Sequence, residues 1–187
     1  MMNELSFLSG QFLLAMPGIG DPRFEQGVVA ICAHDEAGAF GFCLHREVEG
    51  LTVPELMRQM DVDPGDTPGR PVLLGGPVEP ERGFVLHSPD WGGQDTRHAG
   101  SRWAVTGTTD VLRAIAEGRG PRQWVVALGY AGWDAGQLDE ELRRHGWFTT
   151  AGDDALIFAT TAEQRWARAF ALAGIDSSML VGVAGHA

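Results

Sequence analysis

Apolar residues along the chain recur with two periods. Spacings of three and four occur in four segments that carry their own start and stop signals, and these predict helices. Thr52 to Gln59 opens on a capping box, Thr52 and Glu55, and puts Val53, Leu56, Met57 and Met60 on one face. Thr109 to Glu117 turns Val111, Leu112, Ile115 and Ala116 inward and ends at Gly118. Asp134 to His145 takes Asp134 as N-cap with Gln137 at the third position, sets Leu138 four residues before Leu142, and stops at Gly146. Thr161 to Ala173 starts at Thr161 and Gln164, ends at Gly174, and buries Trp166, Ala169, Phe170 and Ala173. Short β-prone runs bounded by Gly and Pro predict strands at Phe12 to Met16, Gly27 to Ala33, Ala39 to His45, Val72 to Leu74, Phe84 to His87, Arg102 to Val105, Gln123 to Leu128 and Ala155 to Ala159. Several strands precede the second helix, so a regular βαβα alternation is excluded. The expected class is α+β: one compact domain over residues 1–187, with a mixed or antiparallel sheet and about four amphipathic helices. Met60 to Arg70 and Pro89 to Gly100, polar and rich in Gly or Pro, are expected to be mobile loops.

Composition narrows the function classes. The chain has 187 residues, 44% hydrophobic and 21% charged, enough for one sizeable core. All fourteen basic residues are Arg. Lysine Schiff-base enzymes, P-loop NTPases and kinases are thereby excluded, because each needs an amine at one defined place. A net charge of −11 and a pI near 4.8 oppose binding to phosphate backbones and anionic lipid. Direct nucleic-acid binding and a membrane partner are therefore not expected, although Arg residues do cluster at Arg97 with Arg102, Arg119 with Arg122, and Arg143 with Arg144. Met1 to Met16 has no basic residue before Arg23 and its apolar stretches are broken, and no run approaches a membrane span. With only two cysteines as well, the expected compartment is the cytoplasm.

The candidate chemistry is sparse. Cys32-x-His34 and Cys43-x-His45 lie on a hairpin turning at Asp35 to Gly38. Alternation puts Cys32 with His34 on one face and Cys43 with His45 on one face, and loop parity decides whether the two faces coincide. Zinc sites use C-x₂₋₄-C and H-x₃₋₅-H spacings rather than alternation along a strand, so no metal is expected. No other cofactor is expected either. Cys32 remains a redox or nucleophile candidate, the alternative to a non-enzymatic function. His87 and Ser88 are adjacent and so point to opposite faces of a strand, and no G-x-S-x-G elbow accompanies them. No catalytic residue is assigned. The densest segment is Gly129 to Gln137, where Tyr130 and Trp133 sit among glycines ahead of the helix capped by Asp134 and Gln137. Free amides at that helix start would suit a small anionic ligand or a partner peptide. Tyr130, Trp133, Asp134 and Gln137 are therefore the expected binding surface, with Gly76, His87 and Ser88 as neighbours.

Several of these stretches together resemble the YqgE/AlgH family of small bacterial proteins. The matching pieces are Leu14-Ala15-Met16-Pro17, Asp21-Pro22-Arg23-Phe24, Cys32-Ala33-His34 with Gly38-Ala39-Phe40-Gly41, and Gly75-Gly76-Pro77-Val78. They continue through Arg82-Gly83-Phe84-Val85-Leu86-His87-Ser88, Leu128-Gly129-Tyr130-Ala131-Gly132-Trp133, Gly136-Gln137-Leu138 and Gly185-His186-Ala187. Departures fall at Ala33, at Phe42-Cys43-Leu44-His45 and at Asp139. The resemblance implies an α+β cytosolic protein without an established biochemical activity, of a family in which some members are named as transcriptional regulators of alginate synthesis. Binding or regulation of an unidentified protein or small ligand is the function expected.

Overall fold

The computed structural model describes residues 7–184; the closing Gly185-His186-Ala187 and the start of the Met1 to Met16 stretch lie outside the described residues. Ten strands form one sheet: β1 (Gln11–Ala15), β2 (Val28–Asp35), β3 (Gly38–Cys43), β4 (Glu47–Thr52), β5 (Pro71–Leu74), β6 (Val78–His87), β7 (Thr96–Ala99), β8 (Trp103–Thr106), β9 (Trp124–Asp134) and β10 (Trp147–Ala151). The main path is β10-β1-β2-β3-β9-β6-β8-β7, antiparallel throughout, with β5 parallel to β9 and β4 beside β5. Six α-helices occur among the described residues: α1 (Val53–Gln59), α2 (Asp110–Ala116), α3 (Gln137–Arg143), α4 (Asp154–Phe158), α5 (Arg165–Leu172) and α6 (Ser177–Ala184). The class is α+β, with more helices than the sequence predicts.

The sheet curls on itself. Phe12 on β1 stacks on Trp103 of β8 at 5.3 Å between centroids, although four strands separate β1 from β8 along the sheet. The concave face buries Phe12, Leu14, Phe42, Phe84, Leu86 and Trp103, and α4 and α5 fill part of it with Leu156, Ile157, Trp166 and Phe170. The convex face carries two further cores. Ile31, Cys43, Ala131 and Trp133 pack under Leu138 of α3, while Val72, Val85 and Val126 pack under α1 and α2. The capping box of α1 forms, Glu55 accepting from the Thr52 backbone N–H at 2.9 Å.

Several expectations fail for identifiable reasons. Ala155 to Ala159 is helix α4 rather than strand: Asp153 caps it, accepting from Leu156 N at 2.9 Å, and both Leu156 and Ile157 must reach the concave core. Asp134 is the last residue of β9, held by pairing with Gly38, so it does not cap α3; Gly136, in the left-handed region at φ 74°, does. Strands β4, β7 and β10 are absent from the sequence reading because charged and polar residues obscure their alternation. Pro89 to Gly100 contains β7 and is tied to the body through Gln94 N to Asp110 at 2.7 Å. Buried Val62 and Pro64 anchor Met60 to Arg70. Ala173 is exposed rather than buried.

One buried side chain joins the helices to the sheet. Arg165, 4% exposed, donates from Nε to Leu156 O at 3.0 Å, from Nη2 to Ile157 O at 2.6 Å and from Nη1 to Leu44 O at 2.7 Å. The first two carbonyls belong to α4 and the third follows β3. Burial pushes the guanidinium pKa down to about 10, which still leaves it charged at neutral pH. Arg165→Met would leave three carbonyls unpaired, and urea denaturation should register a loss of about 3 kcal/mol or more.

Candidate functional site

The hairpin that carries the cysteines turns on two residues, since Asp35 pairs with Gly38. Even parity alone would align both Cys-x-His pairs. A β-bulge prevents it: Ile31 pairs with Gly41 and Ala33 with Phe40, leaving Cys32 as the extra residue. Cys32 therefore joins the concave core, whereas Cys43 faces the convex core. His34, two residues on, also lies on the convex side, where Nδ1 accepts from Leu8 N at 3.2 Å and Nε2 approaches Asp139 at 3.6 Å. The expected shared face of Cys32 and His34 is thus overturned. No group of three or more His, Cys, Asp or Glu converges among the described residues. Burial raises the Cys32 thiol pKa far above its ordinary value and pushes that of Cys43 up to about 12. Neither thiol is poised as a thiolate.

A cleft of about 410 Å³ opens on the concave side, beyond the part filled by α4 and α5. Its floor is aromatic. Phe40 of β3, Phe84 of β6 and Tyr130 of β9 lie with centroids 5.3, 5.8 and 6.5 Å apart, Phe40–Phe84 being the longest separation. Cys32, Ala33, Ala99 and Val105 extend the apolar lining, and Glu79, Arg82, Asp95, Arg97 and His98 form the rim. Glu79 and Arg82 come from an arch in β6, where four residues separate Val78, opposite Tyr130, from Gly83, opposite Leu128, against the single Gly129 on β9. The Arg82 guanidinium sits 4.9 Å from the Phe84 ring centroid and 3.5 Å from Glu79. Burial raises the Tyr130 phenol pKa, and the Glu79 charge raises it further.

The expected binding residues separate. Tyr130 faces the cleft, but Trp133, three residues along the same strand, faces the convex core. Its indole N–H donates to Glu141 Oε2 at 2.9 Å; Trp147 donates to the same oxygen at 2.9 Å, and Gln137 Nε2 to Oε1 at 3.0 Å. Gln137 also accepts from Asp134 N at 3.0 Å. Because β9 runs through Asp134, α3 starts only after Gly136, and its second residue, Leu138, packs beside Trp133 in the convex core, so that helix start does not underlie Tyr130 in the cleft. Trp133 and Gln137 instead line a separate groove of about 550 Å³ with Asp21, Arg23 and Trp147. Gly76 does adjoin Tyr130. A Cβ on it would lie 2.1 Å from the Tyr130 carbonyl carbon, and one on Gly129 would lie 2.4 Å from Gly76 O, so these glycines let two backbones cross. Glu141, which sequence reasoning missed, was signalled by its position on the α3 face four residues after Gln137.

His87 and Ser88 lie at the opposite end of the β6–β9 pair, where His87 is opposite Trp124. Their expected nearness to Tyr130 is not observed. His87 Nδ1 donates to Ser88 O at 2.8 Å, so Nε2 is the acceptor for Thr106 Oγ1 at 2.8 Å. Thr106 Oγ1 lies 2.8 Å from Thr96 Oγ1, which accepts from Gly93 N at 2.8 Å. His45 is held the same way: it accepts from Val28 N at 3.3 Å and donates to Arg23 O at 3.0 Å. Burial lowers the pKa of both histidines. Each Arg of the three clusters approaches a carboxylate: Arg97 Asp95, Arg102 Asp154, Arg119 Glu117, Arg122 Asp90, and Arg143 and Arg144 Glu140. No helix is long and apolar enough to cross a membrane among the described residues.

Comparison with known proteins places this geometry in a lineage. A family model described as AlgH-like matches residues 12–178. A UPF0301 protein of Rhizorhabdus wittichii is 56% identical over 186 residues, covering 100% of both chains, and one of Sphingopyxis alaskensis is 52% identical over 97% of each. The solution structure of the AlgH protein from Pseudomonas aeruginosa superposes with a TM-score of 0.80 at 39% identity over 100% of both chains. A Corynebacterium diphtheriae protein, 20% identical and covering 86% of this chain and 84% of its own, shares the fold at a TM-score of 0.70.

Two outcomes follow from this arrangement. Trp133→Ala should cost about 3–5 kcal/mol in chemical denaturation, as for a core aromatic. The lowered histidine values mean that the unfolded chain binds protons first as pH falls below about 6.5. Stability should therefore be complete above that pH and decline toward pH 5.5, and His87→Gln should flatten the decline in denaturation midpoints measured between pH 7.5 and 5.5.

Proposed function

The chain belongs to the AlgH-like family, and we propose that it is a cytosolic, non-enzymatic binding or regulatory protein whose ligand site is the aromatic cleft of the concave face. The reading takes residues 1–187 as one domain, in keeping with a family match over residues 12–178 and a single ten-stranded sheet. The observation that carries it is the cleft itself: about 410 Å³, floored by Phe40, Phe84 and Tyr130 and rimmed by charges of both signs. Apolar recognition surface with a few placed polar groups is what ligand sites share. Chemistry is poorly served there. The one thiol in the lining, Cys32, is 6% exposed with its pKa raised, and His34 lies on the other face of the sheet. A thiol-dependent reaction through Cys32, the alternative reading, would need both obstacles removed. Duplex nucleic acid is disfavoured by the net charge of −11 and by the carboxylate beside each clustered Arg.

A thiol-specific reagent added to the native protein should label neither Cys32 nor Cys43, and both should react after denaturation. A fragment titration followed by amide NMR should move resonances at Phe40, Gly107 and Tyr130. Rapid native labelling of Cys32 would revive the thiol reading, and shifts confined to Trp133, Gln137 and Trp147 would transfer the site to the opposite groove.

A further inference from the structure

We infer that the aromatic cleft is a site for an organic cation, a guanidinium or alkylammonium group; this rests on the cleft being the ligand site. Three observations converge on that chemistry. The floor offers the π systems of Phe40, Phe84 and Tyr130, which attract positive charge to their faces. Two carboxylates stand beside it. Glu79 is close enough to Tyr130 to raise its phenol pKa by charge, and Asp95 lies against the floor at Gly107, where an added Cβ would sit 3.4 Å from Asp95 Oδ2 and 3.5 Å from the edge of Phe84. The third observation is that the chain already places a cation of this class there. The Arg82 guanidinium covers the Phe84 ring at 4.9 Å and is paired with Glu79 at 3.5 Å.

Arg82 is thus an internal competitor. It is half exposed and reaches the ring from the β6 arch, so it can leave for solvent when a ligand cation takes its place. The other rim arginine, Arg97, is 84% exposed and 3.6 Å from Asp95, a surface pair that costs little to open. The net charge of −11 favours a positively charged ligand over an anion at long range.

Agmatine, which carries both a guanidinium and an ammonium group, is the free-molecule probe, and acetyl-Gly-Arg-Gly-amide presents the same group on a peptide. The third probe, 2-naphthalenesulfonate, is an aromatic anion. Calorimetry and amide NMR on the full chain read the affinities and the site. Agmatine or the peptide should shift Gly107 and Tyr130, and the tighter of the two identifies the source of the cation. Arg82→Ala should tighten binding about two- to fivefold by removing the competitor. Glu79→Gln combined with Asp95→Asn should weaken it about tenfold or more. Gly107→Ala, at a position without a left-handed backbone, should weaken binding by obstruction alone.

If Arg82→Ala weakens agmatine binding or leaves it unchanged, the inference is overturned. Tighter binding of the sulfonate than of agmatine at the same residues would also overturn it, while leaving the cleft a ligand site. A cleft silent to all three probes would overturn the inference and the proposed site together.

Discussion

The Arg165 guanidinium and its three backbone carbonyls decide how the concave face is used. A buried cation that makes no ion pair within 4 Å among the described residues is tolerable only if carbonyl dipoles replace its hydration, and Leu44, Ile157 and Leu156 provide them. Two of those carbonyls are in α4, toward the end of the helix where the dipole is negative, so the contact also suits the helix electrostatically. The consequence is spatial. With α4 and α5 locked to the end of β3, one part of the curled sheet is filled by Trp166 and Phe170. The remaining part stays open as the aromatic cleft.

The crossing of Gly75-Gly76 with Gly129-Tyr130 fixes the other boundary. Gly75, Gly76 and Gly129 each leave no room for a Cβ beside the opposing backbone, and Gly76 and Gly129 have φ of 154° and 73°. Close approach at this point lets β5 and β6 flank β9 while the Glu79–Arg82 arch leaves the ladder. A motif dense in glycine and aromatics therefore serves two ends: the glycines build the crossing, and Tyr130 and Trp133 are sent to opposite faces.

The legible parts of the chain were those where local chemistry and tertiary demand agree. Helix α1 was marked by Thr52 and Glu55, and α2 by its apolar spacing and Gly118. Local signals misled where the sheet outweighed them. Asp134 has the composition of a cap, but pairing with β3 keeps it in the strand. Cys32 and His34 have strand spacing, but one extra residue reverses their relation, and a bulge has no signature in a single sequence. Tyr130 was a candidate binding residue in the sequence, and it does line the cleft, whereas Phe40, Phe84, Asp95 and Arg82 join it only through strand order, which no local pattern encodes. Arg165 left a faint trace: a cation at the start of a helix, four residues before buried Ala169, opposes the helix dipole and needs another reason to be there.

The hydrogen-bond chain through His87 has a head and a tail. It begins at the Gly93 N–H, passes Thr96 and Thr106, and ends at the Ser88 carbonyl. Both termini belong to one excursion of the backbone, so the side chains form a clasp across its base. The four residues between, Pro89 to Gly92, are themselves tied down: Asp90 accepts from Arg122 N at 3.1 Å, and the Trp91 ring meets the His87 ring at 5.7 Å between centroids. The clasp thus fixes the length of this excursion, since adding or removing a residue would pull on Thr96 and the β7 wall of the cleft, whereas a side chain at Gly92 would meet open space.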